Sequence, residues 1–300
     1  MHWFLRHRLR AAVVCVLCCA PVACGPVGCA SKVNLKKTPP LDLADRIQPS
    51  NFRDWVPDQA VLATADIRGD RVTVKNVRYC KHLAPGEYVP DYYDKSFNLR
   101  RVQAVDFITM PFGPVPSLAH TLVSFELAPE APMAEPEHLV ISVEVRKEKD
   151  EPAYNPVLSA MRQYELIYVV TDERDILRRQ AVINNQDTYL YRTTAPPEAA
   201  QEMLVSMLRR ANELAQQPQF YDLFTNNCTT NIVEHVNLIR PNRVVYDIGV
   251  LLPGLSDRKA YAEGLIVGEG DFEQVKARAN IRQRAQLADG SADFSSAIRR

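Results

Sequence analysis

His120-Thr121-Leu122-Val123-Ser124-Phe125-Glu126-Leu127 and, ten residues further on, His138-Leu139-Val140-Ile141-Ser142-Val143-Glu144-Val145-Arg146 are the stretches that decide the fold. Both alternate with period 2 and are rich in β-branched residues, the pattern of strands. The Ala128–Glu137 connection is short enough to make them antiparallel neighbours. A pairing midpoint near residue 132 sets His120 opposite about residue 144, which is Glu, with Ser142 and Arg146 on the same face.

Working outward, Ala60–Ile67 and Arg71–Tyr79 alternate around Arg68-Gly69-Asp70 and predict a β-hairpin. Lys81–Phe97 reads as loop. Glu165–Val170 is a third central strand and Tyr189–Tyr191 a short fourth. The chain then turns helical. Thr194, Pro196, Pro197 and Glu198 form a helix start. Ala200, Met203, Leu204, Met207, Leu208, Ala211, Leu214 and Ala215 follow at helical spacing, and Pro218 ends the run. Cys228–Ile239 is the next helix, and Arg258–Leu265 and Phe272–Leu287 follow. Residues 288–300 read as a flexible tail. Strands followed by helices predict an α+β fold, an antiparallel sheet packed against helices with an N-terminal hairpin extension.

The Cys228 helix is preceded by Phe220-Tyr221-Asp222-Leu223-Phe224-Thr225-Asn226-Asn227. A polar loop therefore delivers a cysteine to a helix N-terminus. Free N–H groups and the helix dipole there favour a thiolate and an oxyanion. A capped helix start with an inert small residue is the other reading. Ile232 and Ile239 share the Cys228 stripe, so the thiol faces the core. Its base must be a histidine within reach. His235 lies about 10 Å along the helix, too far. His82 sits in a loop without other cues, and His138 begins a strand and is expected to be exposed. His120 opens a strand at a sheet end, where base and structural histidine are both open. Glu144 across from it is either the imidazole's orienter or, with Arg146, part of a solvated ion-paired face.

Met1–Gly28 reads as a lipoprotein signal peptide. Arg6, Arg8 and Arg10 precede an apolar Ala11–Ala20 core too short for a permanent span. Gly28-Cys29-Ala30-Ser31 resembles a lipobox with Cys29 as the lipidated residue; Cys24 is the competing site, and plain secretion the alternative. Residues 29–50 form the lipidated cysteine and a Lys- and Pro-rich tether, and residues 51–287 the catalytic domain. Four of the seven cysteines then leave with the leader and Cys29 is the anchor, which leaves Cys80 and Cys228. A disulfide between them is the alternative to two free thiols.

Lys plus Arg equals Asp plus Glu at 36 each, so nothing points to nucleic acid. No Cys-x-x-Cys or His-x-x-x-His spacing suggests a metal, so none is expected. No phosphate-binding glycine loop and no Gly-x-Ser-x-Gly elbow occurs, and no cofactor is implied. Cysteine chemistry is the catalytic class with residues in its favour.

Ordered blocks from residue 51 to 265 resemble the DUF4105 family, the periplasmic N-terminal domain of the bacterial lipoprotein N-acyltransferase Lnb. They are Asn51–Trp55 with Pro57-Asp58, Asn76-Val77-Arg78, Ala119-His120-Thr121 with Ser124-Phe125, and Ile141–Glu144 with Arg146. Gln163–Tyr168, Asp172–Asp175, Pro218 with Tyr221, Asn227–Asn231, and Leu252-Pro253-Gly254 with Asp257 and Tyr261 complete them. The resemblance implies a permuted papain-like (NlpC/LRAT-like) fold in which the His strand precedes the Asn-Cys helix. It implies Cys228 as nucleophile, His120 as base and Glu144 as orienter. Backbone N–H groups of Cys228 and Thr229 would form the oxyanion site, with Asn227 and Arg146 in support. The activity implied is a thioester-forming acyltransferase or hydrolase, with phospholipid or lipoprotein as substrate. It would be anchored to the bacterial cell envelope by its N-terminal lipid and face the periplasm. A cell-wall peptide amidase and a non-catalytic envelope scaffold are the alternatives. The acyltransferase also carries membrane spans, whereas here no stretch outside the leader approaches 18 apolar residues.

Overall fold

A computed structural model describes residues 48–112, 115, 117–151 and 154–300. The expected signal segment, the expected anchor Cys29 and nearly all of the expected tether lie outside the described residues. Ten strands are found among those described: β1 (Thr64–Arg68), β2 (Arg71–Arg78), β3 (Lys81–Ala84), β4 (Glu87–Val89), β5 (Tyr92–Asn98), β6 (Val102–Pro111), β7 (Ala119–Leu127), β8 (Glu137–Arg146), β9 (Glu165–Thr171) and β10 (Tyr189–Arg192). The helices are α1 (Pro156–Ala160), α2 (Glu173–Arg178), α3 (Pro197–Gln216), α4 (Cys228–Ile239), α5 (Ile248–Leu251), α6 (Ser256–Ala262), α7 (Phe272–Ala279), α8 (Arg282–Leu287) and α9 (Phe294–Ala297). The fold is α+β, as predicted, with a mostly antiparallel sheet packed against helices.

The sheet runs β1-β2-β9-β8-β7-β6-β10, with β5 also on β2, and its one parallel contact is Arg78 beside Thr171. The β7–β8 ladder pairs Leu122 with Ser142 through Leu127 with Glu137. Extended by two residues, that register sets His120 across from Glu144, as the alternation predicts. The β1–β2 hairpin forms around Gly69, whose φ of +56° is the backbone that glycine adopts without strain. Asn76, at φ 60°, sits at a bulge in the β2–β5 pairing. The bulge re-aims the end of β2, so that Arg78 turns inward.

Three expectations fail here. Lys81–Phe97 is not loop: it holds β3, β4 and β5, short strands whose polar outer faces mask their alternation. β6, unread in the sequence, lies between β7 and β10 with both faces covered, and its run is nearly continuous in burial rather than alternating. Residues 288–300 are not a loose tail: Phe294 and Ile298 are 1% and 0% exposed.

Both faces of the sheet are packed. On one, α3 buries Ala200, Met203, Leu204, Met207, Leu208, Ala211 and Leu214 against Val123, Phe125, Leu139 and Ile141, together with Cys228 and Ile232 of α4. Each fully buried Leu or Met there contributes about 1.5–3 kcal/mol. On the other, Leu122 and Val140 meet Ile176 and Leu177 of α2, Ala285 of α8, and Phe294 and Ile298. The expected Phe272–Leu287 helix is broken at Asn280 and Ile281, where Asn280 pairs with Tyr189 at the sheet edge. No helix among the described residues is long and apolar enough to cross a membrane.

Candidate active site at the start of α4

Asn227 caps α4. Its side-chain oxygen accepts the Thr230 N–H and the Thr230 hydroxyl accepts the Asn227 N–H, both at 2.8 Å, a reciprocal capping box. The Asn227 amide nitrogen donates to Leu223 O at 2.7 Å. Asn227 is therefore committed to holding the helix start and is not free to bind an oxyanion. Cys228 follows as the first helical residue, 2% exposed, and is a free thiol, as is Cys80.

The His120 imidazole and Thr121 lie close enough to the Cys228 thiol to act on its ionisation. His120 and Thr121 project to opposite faces of β7. Thr121 meets the Thr229 hydroxyl at 3.1 Å on the α4 side, while His120 Nε2 meets Ser142 Oγ at 2.7 Å on the other. The thiol thus reaches the imidazole at the end of the sheet, beyond the last β7–β8 ladder pair. Ser142 donates its proton to Glu144 Oε1 at 2.8 Å, so it accepts from His120 Nε2–H. That fixes the tautomer and leaves Nδ1 as the basic nitrogen for the thiol. Glu144 acts through the Ser142 hydroxyl rather than touching the ring. Its other oxygen accepts from Gln59 Nε2 at 3.0 Å and faces Arg78 Nη1 at 3.9 Å.

The electrostatics follow from these contacts. Burial opposes ionisation of Cys228, yet the hydrogen bond and charge of His120, with Thr121, bring the thiol down from 9.0 to about 7. Burial also opposes the imidazolium, but Cys228 and Glu144 outweigh it and His120 is raised above its ordinary value. For Glu144, burial is overcome by Arg78, then His120 and Arg179, and the carboxylate is held below its usual range. Thiolate and imidazolium therefore stabilise each other near neutrality.

Sequence reasoning missed two members of this site. Tyr221 lies beside Cys228, close enough for the two side chains to shift each other's ionisation. Burial, then the Cys228 charge, push its phenol well above the ordinary range, so it keeps its proton. Arg78 is the cation beside Glu144; only the β2 bulge and topology bring it there. Arg146 is placed elsewhere. It donates to Gln59 O, Asn51 Oδ1 and Ala60 O at 3.0 Å each and stacks on Trp55, so it clamps the N-terminal segment.

Two of the other described histidines, His235 and His138, are structural. His235 bonds Tyr168 Oη at 3.0 Å and Ser206 Oγ at 2.8 Å, and burial, then Arg210, lowers it to about 4. His138 is not exposed at its strand start but buried, and burial lowers its pKa. His82 pairs with Asp175 at 3.1 Å, and with Cys80 these two form a group whose ligand-type atoms all lie within 4.8 Å of one another. No sequence spacing announced this trio, because Asp175 comes from a distant helix.

A cavity of about 160 Å³ with apolar walls lies between the sheet, α3, α4 and α6, lined by Phe107, Val123, Met203, Ile232, Val236 and Leu265. Thr229, the residue after Cys228, also lines it. On the other side of the site Tyr154 stacks on Tyr164 and meets Phe112, with ring centroids 6.2 and 6.1 Å apart. Tyr154 is close enough to Cys228 to feel its charge.

A family model described as the Lnb N-terminal periplasmic domain matches residues 88–254. That span holds His120, Ser142, Glu144, Asp175, Tyr221 and Cys228, and leaves out Arg78, Cys80, His82 and the C-terminal helices. No curated protein and no solved structure matches the chain. With more than half of its length matched, the chain belongs to the family of the Lnb N-terminal periplasmic domain and is a periplasmic envelope protein related to Lnb.

Proposed function

We propose that the chain is a lipid-anchored envelope cysteine acyltransferase or hydrolase working through a thioester on Cys228, on a permuted papain-like scaffold. One observation carries this reading: the thiol–imidazole pair at the start of α4, backed by Ser142 and Glu144. The Cys228 thiolate attacks an ester carbonyl, and a C–S bond forms as the carbonyl π electrons move to oxygen. The Cys228 N–H and the Tyr221 hydroxyl receive that oxyanion. As the C–O bond breaks, protonated His120 gives its Nδ1 proton to the leaving alcohol. An amine or water then attacks the thioester, with His120 as base, and the thiolate departs. The cavity beginning at Thr229, walled mostly by apolar side chains with Thr193, Thr194, Ser256 and Lys259 also on its lining, supports an acyl chain over a cell-wall peptide. Phospholipid as donor and a lipoprotein amine as acceptor fit this chemistry, and Cys29 is the anchor.

The test is intact mass after incubation with phospholipid. An acyl adduct is expected on the wild type and not on Cys228→Ala. The 2% exposure of Cys228 favours a second reading, a non-catalytic envelope scaffold. No adduct together with no alkylation of Cys228 in the native protein would establish the scaffold instead.

A further inference from the structure

We propose that Cys80, His82 and Asp175 form a binding site for a zinc-like divalent cation, separate from the thiol–imidazole site. Thiolate, imidazole and carboxylate are the three donor types that zinc takes, and this mixture suits a borderline-soft ion better than Ca²⁺ or Mg²⁺. Tetrahedral zinc with bonds of about 2.0–2.3 Å sets its ligand atoms about 3.3–3.8 Å apart. Here the candidate ligand atoms all lie within 4.8 Å, with His82 Nε2 3.1 Å from Asp175 Oδ1. A metal ion would stand where that hydrogen bond now runs.

Two features go beyond proximity. The first is the supporting shell. Asp175 Oδ2 accepts from Arg78 Nε and from the Cys80 N–H, both at 2.9 Å. Arg78 Nη2 also donates to Oδ1 at 3.3 Å, so the guanidinium orients both oxygens, and Oδ1 is the one that meets His82 Nε2. Carboxylate ligands of metals are held in this way. The second is charge. Arg78 and Arg179 face Asp58, Glu144 and Asp175, so the carboxylates outnumber the guanidinium groups by one. A dication with the Cys80 thiolate supplies the missing positive charge. Above the trio a cavity lined by Tyr79, Cys80, Lys81, His82, Arg174 and Arg178 has room for a water as fourth ligand.

Binding releases the Cys80 thiol proton to solvent and moves the His82 ring proton to Nδ1, freeing Nε2 for the metal. Cys80 and His82 stand on the β2–β3 junction and β3, and Asp175 on α2. The ion would tie the N-terminal hairpin to the domain and hold Arg78 against Glu144. Cys80 and His82 lie before residue 88, outside the matched family span, and Asp175 lies within it.

The experiment uses the purified full chain, with zinc content by elemental analysis and the absorption spectrum with Co²⁺. One equivalent of zinc is expected after dialysis, together with a thiolate-to-cobalt charge-transfer band. Both should persist in Cys228→Ala. Affinity should fall at least tenfold in Cys80→Ser and in His82→Ala. Should either of those variants fail to fold by circular dichroism, the other is compared with Cys228→Ala. No zinc and no cobalt band in the wild type would overturn the proposal. So would a metal lost from Cys228→Ala but kept in His82→Ala. Neither result bears on acylation at Cys228.

Discussion

Replacing His120 by Asn should return Cys228 to the behaviour of an ordinary buried thiol. The imidazole supplies the largest opposition to burial, which alone would raise the thiol pKa. A rise from about 7 to 9.0 or above is about 3 kcal/mol of lost preference for the thiolate. At pH 7 the ionised fraction then drops from about one half to about one per cent, roughly fiftyfold, and alkylation requires the thiolate. The assay is the rate of iodoacetamide modification of Cys228 across pH 5 to 10, followed by intact mass and peptide mapping. The substitution also opens space beside the thiol, so the midpoint of the profile is decisive rather than the absolute rate. A wild-type midpoint near 7 that moves above 9 in His120→Asn is expected. The sign follows from the depressed thiol: reactivity is gained as pH rises through the folded pKa. Superimposed profiles with midpoints near 9 would refute the ion pair, and the catalytic assignment with it.

Tyr221→Phe removes the phenol beside Cys228 and should slow acyl adduct formation about 10²-fold, in the range of losing one oxyanion donor, with a smaller upward shift of the alkylation midpoint than His120→Asn gives. Ser142→Ala cuts Glu144 off from the ring and should lower the acylation rate, with its pH profile displaced toward higher pH. Ile232→Trp fills the apolar cavity and should suppress acylation by long-chain esters while sparing acetyl esters; equal loss for both would place the acyl chain elsewhere. Arg299→Met leaves Asp106 and Glu173 buried without the guanidinium that bonds them at 2.7 and 2.5 Å, and should cost about 3 kcal/mol in denaturant unfolding. Arg299 outweighs burial and holds Glu173 below the usual range, so its contribution is present above about pH 4 and fades as pH falls further.

Alternation was enough to read the β7–β8 hairpin, because a register slip of one residue would turn Val123, Phe125 and Ile141 out of the core. The polar loop ending at Asn227 placed the start of α4 at Cys228, and the structure adds the reason, a reciprocal cap between Asn227 and Thr230, since capping chemistry is local. What stayed hidden depended on contacts distant in sequence. β6 escaped because a strand covered on both faces loses its alternation. Arg78 and Arg146 are both basic residues at strand ends. Only the bulge at Asn76 and the bridge to β9 decide that Arg78 reaches Glu144 while Arg146 turns to Trp55. The last residues looked solvated because they are short, polar and rich in small side chains. Their docking rests on two apolar residues, Phe294 and Ile298, and on one arginine whose partners lie more than a hundred residues away.

Cys80 and Cys228 show how little of this chemistry resides in the residue type. Both are buried, both are free, and both lie beside a histidine. Burial raises each thiol. At Cys80 the neighbouring Asp175 carboxylate raises it further, and the thiol reaches about 12 despite Arg78. At Cys228 the nearest groups are the His120 imidazole and the Thr121 donors, and the balance is reversed. His82 cannot do for Cys80 what His120 does for Cys228, because its Nε2 is already joined to Asp175. His120 instead directs Nε2 at a neutral hydroxyl, and the charge of Glu144 reaches it one atom further away. A carboxylate behind the imidazole activates a thiol; a carboxylate beside the thiol suppresses it. Near neutral pH, without metal, iodoacetamide should therefore distinguish two equally buried cysteines by their neighbours alone, modifying Cys228 and leaving Cys80 intact until the chain unfolds.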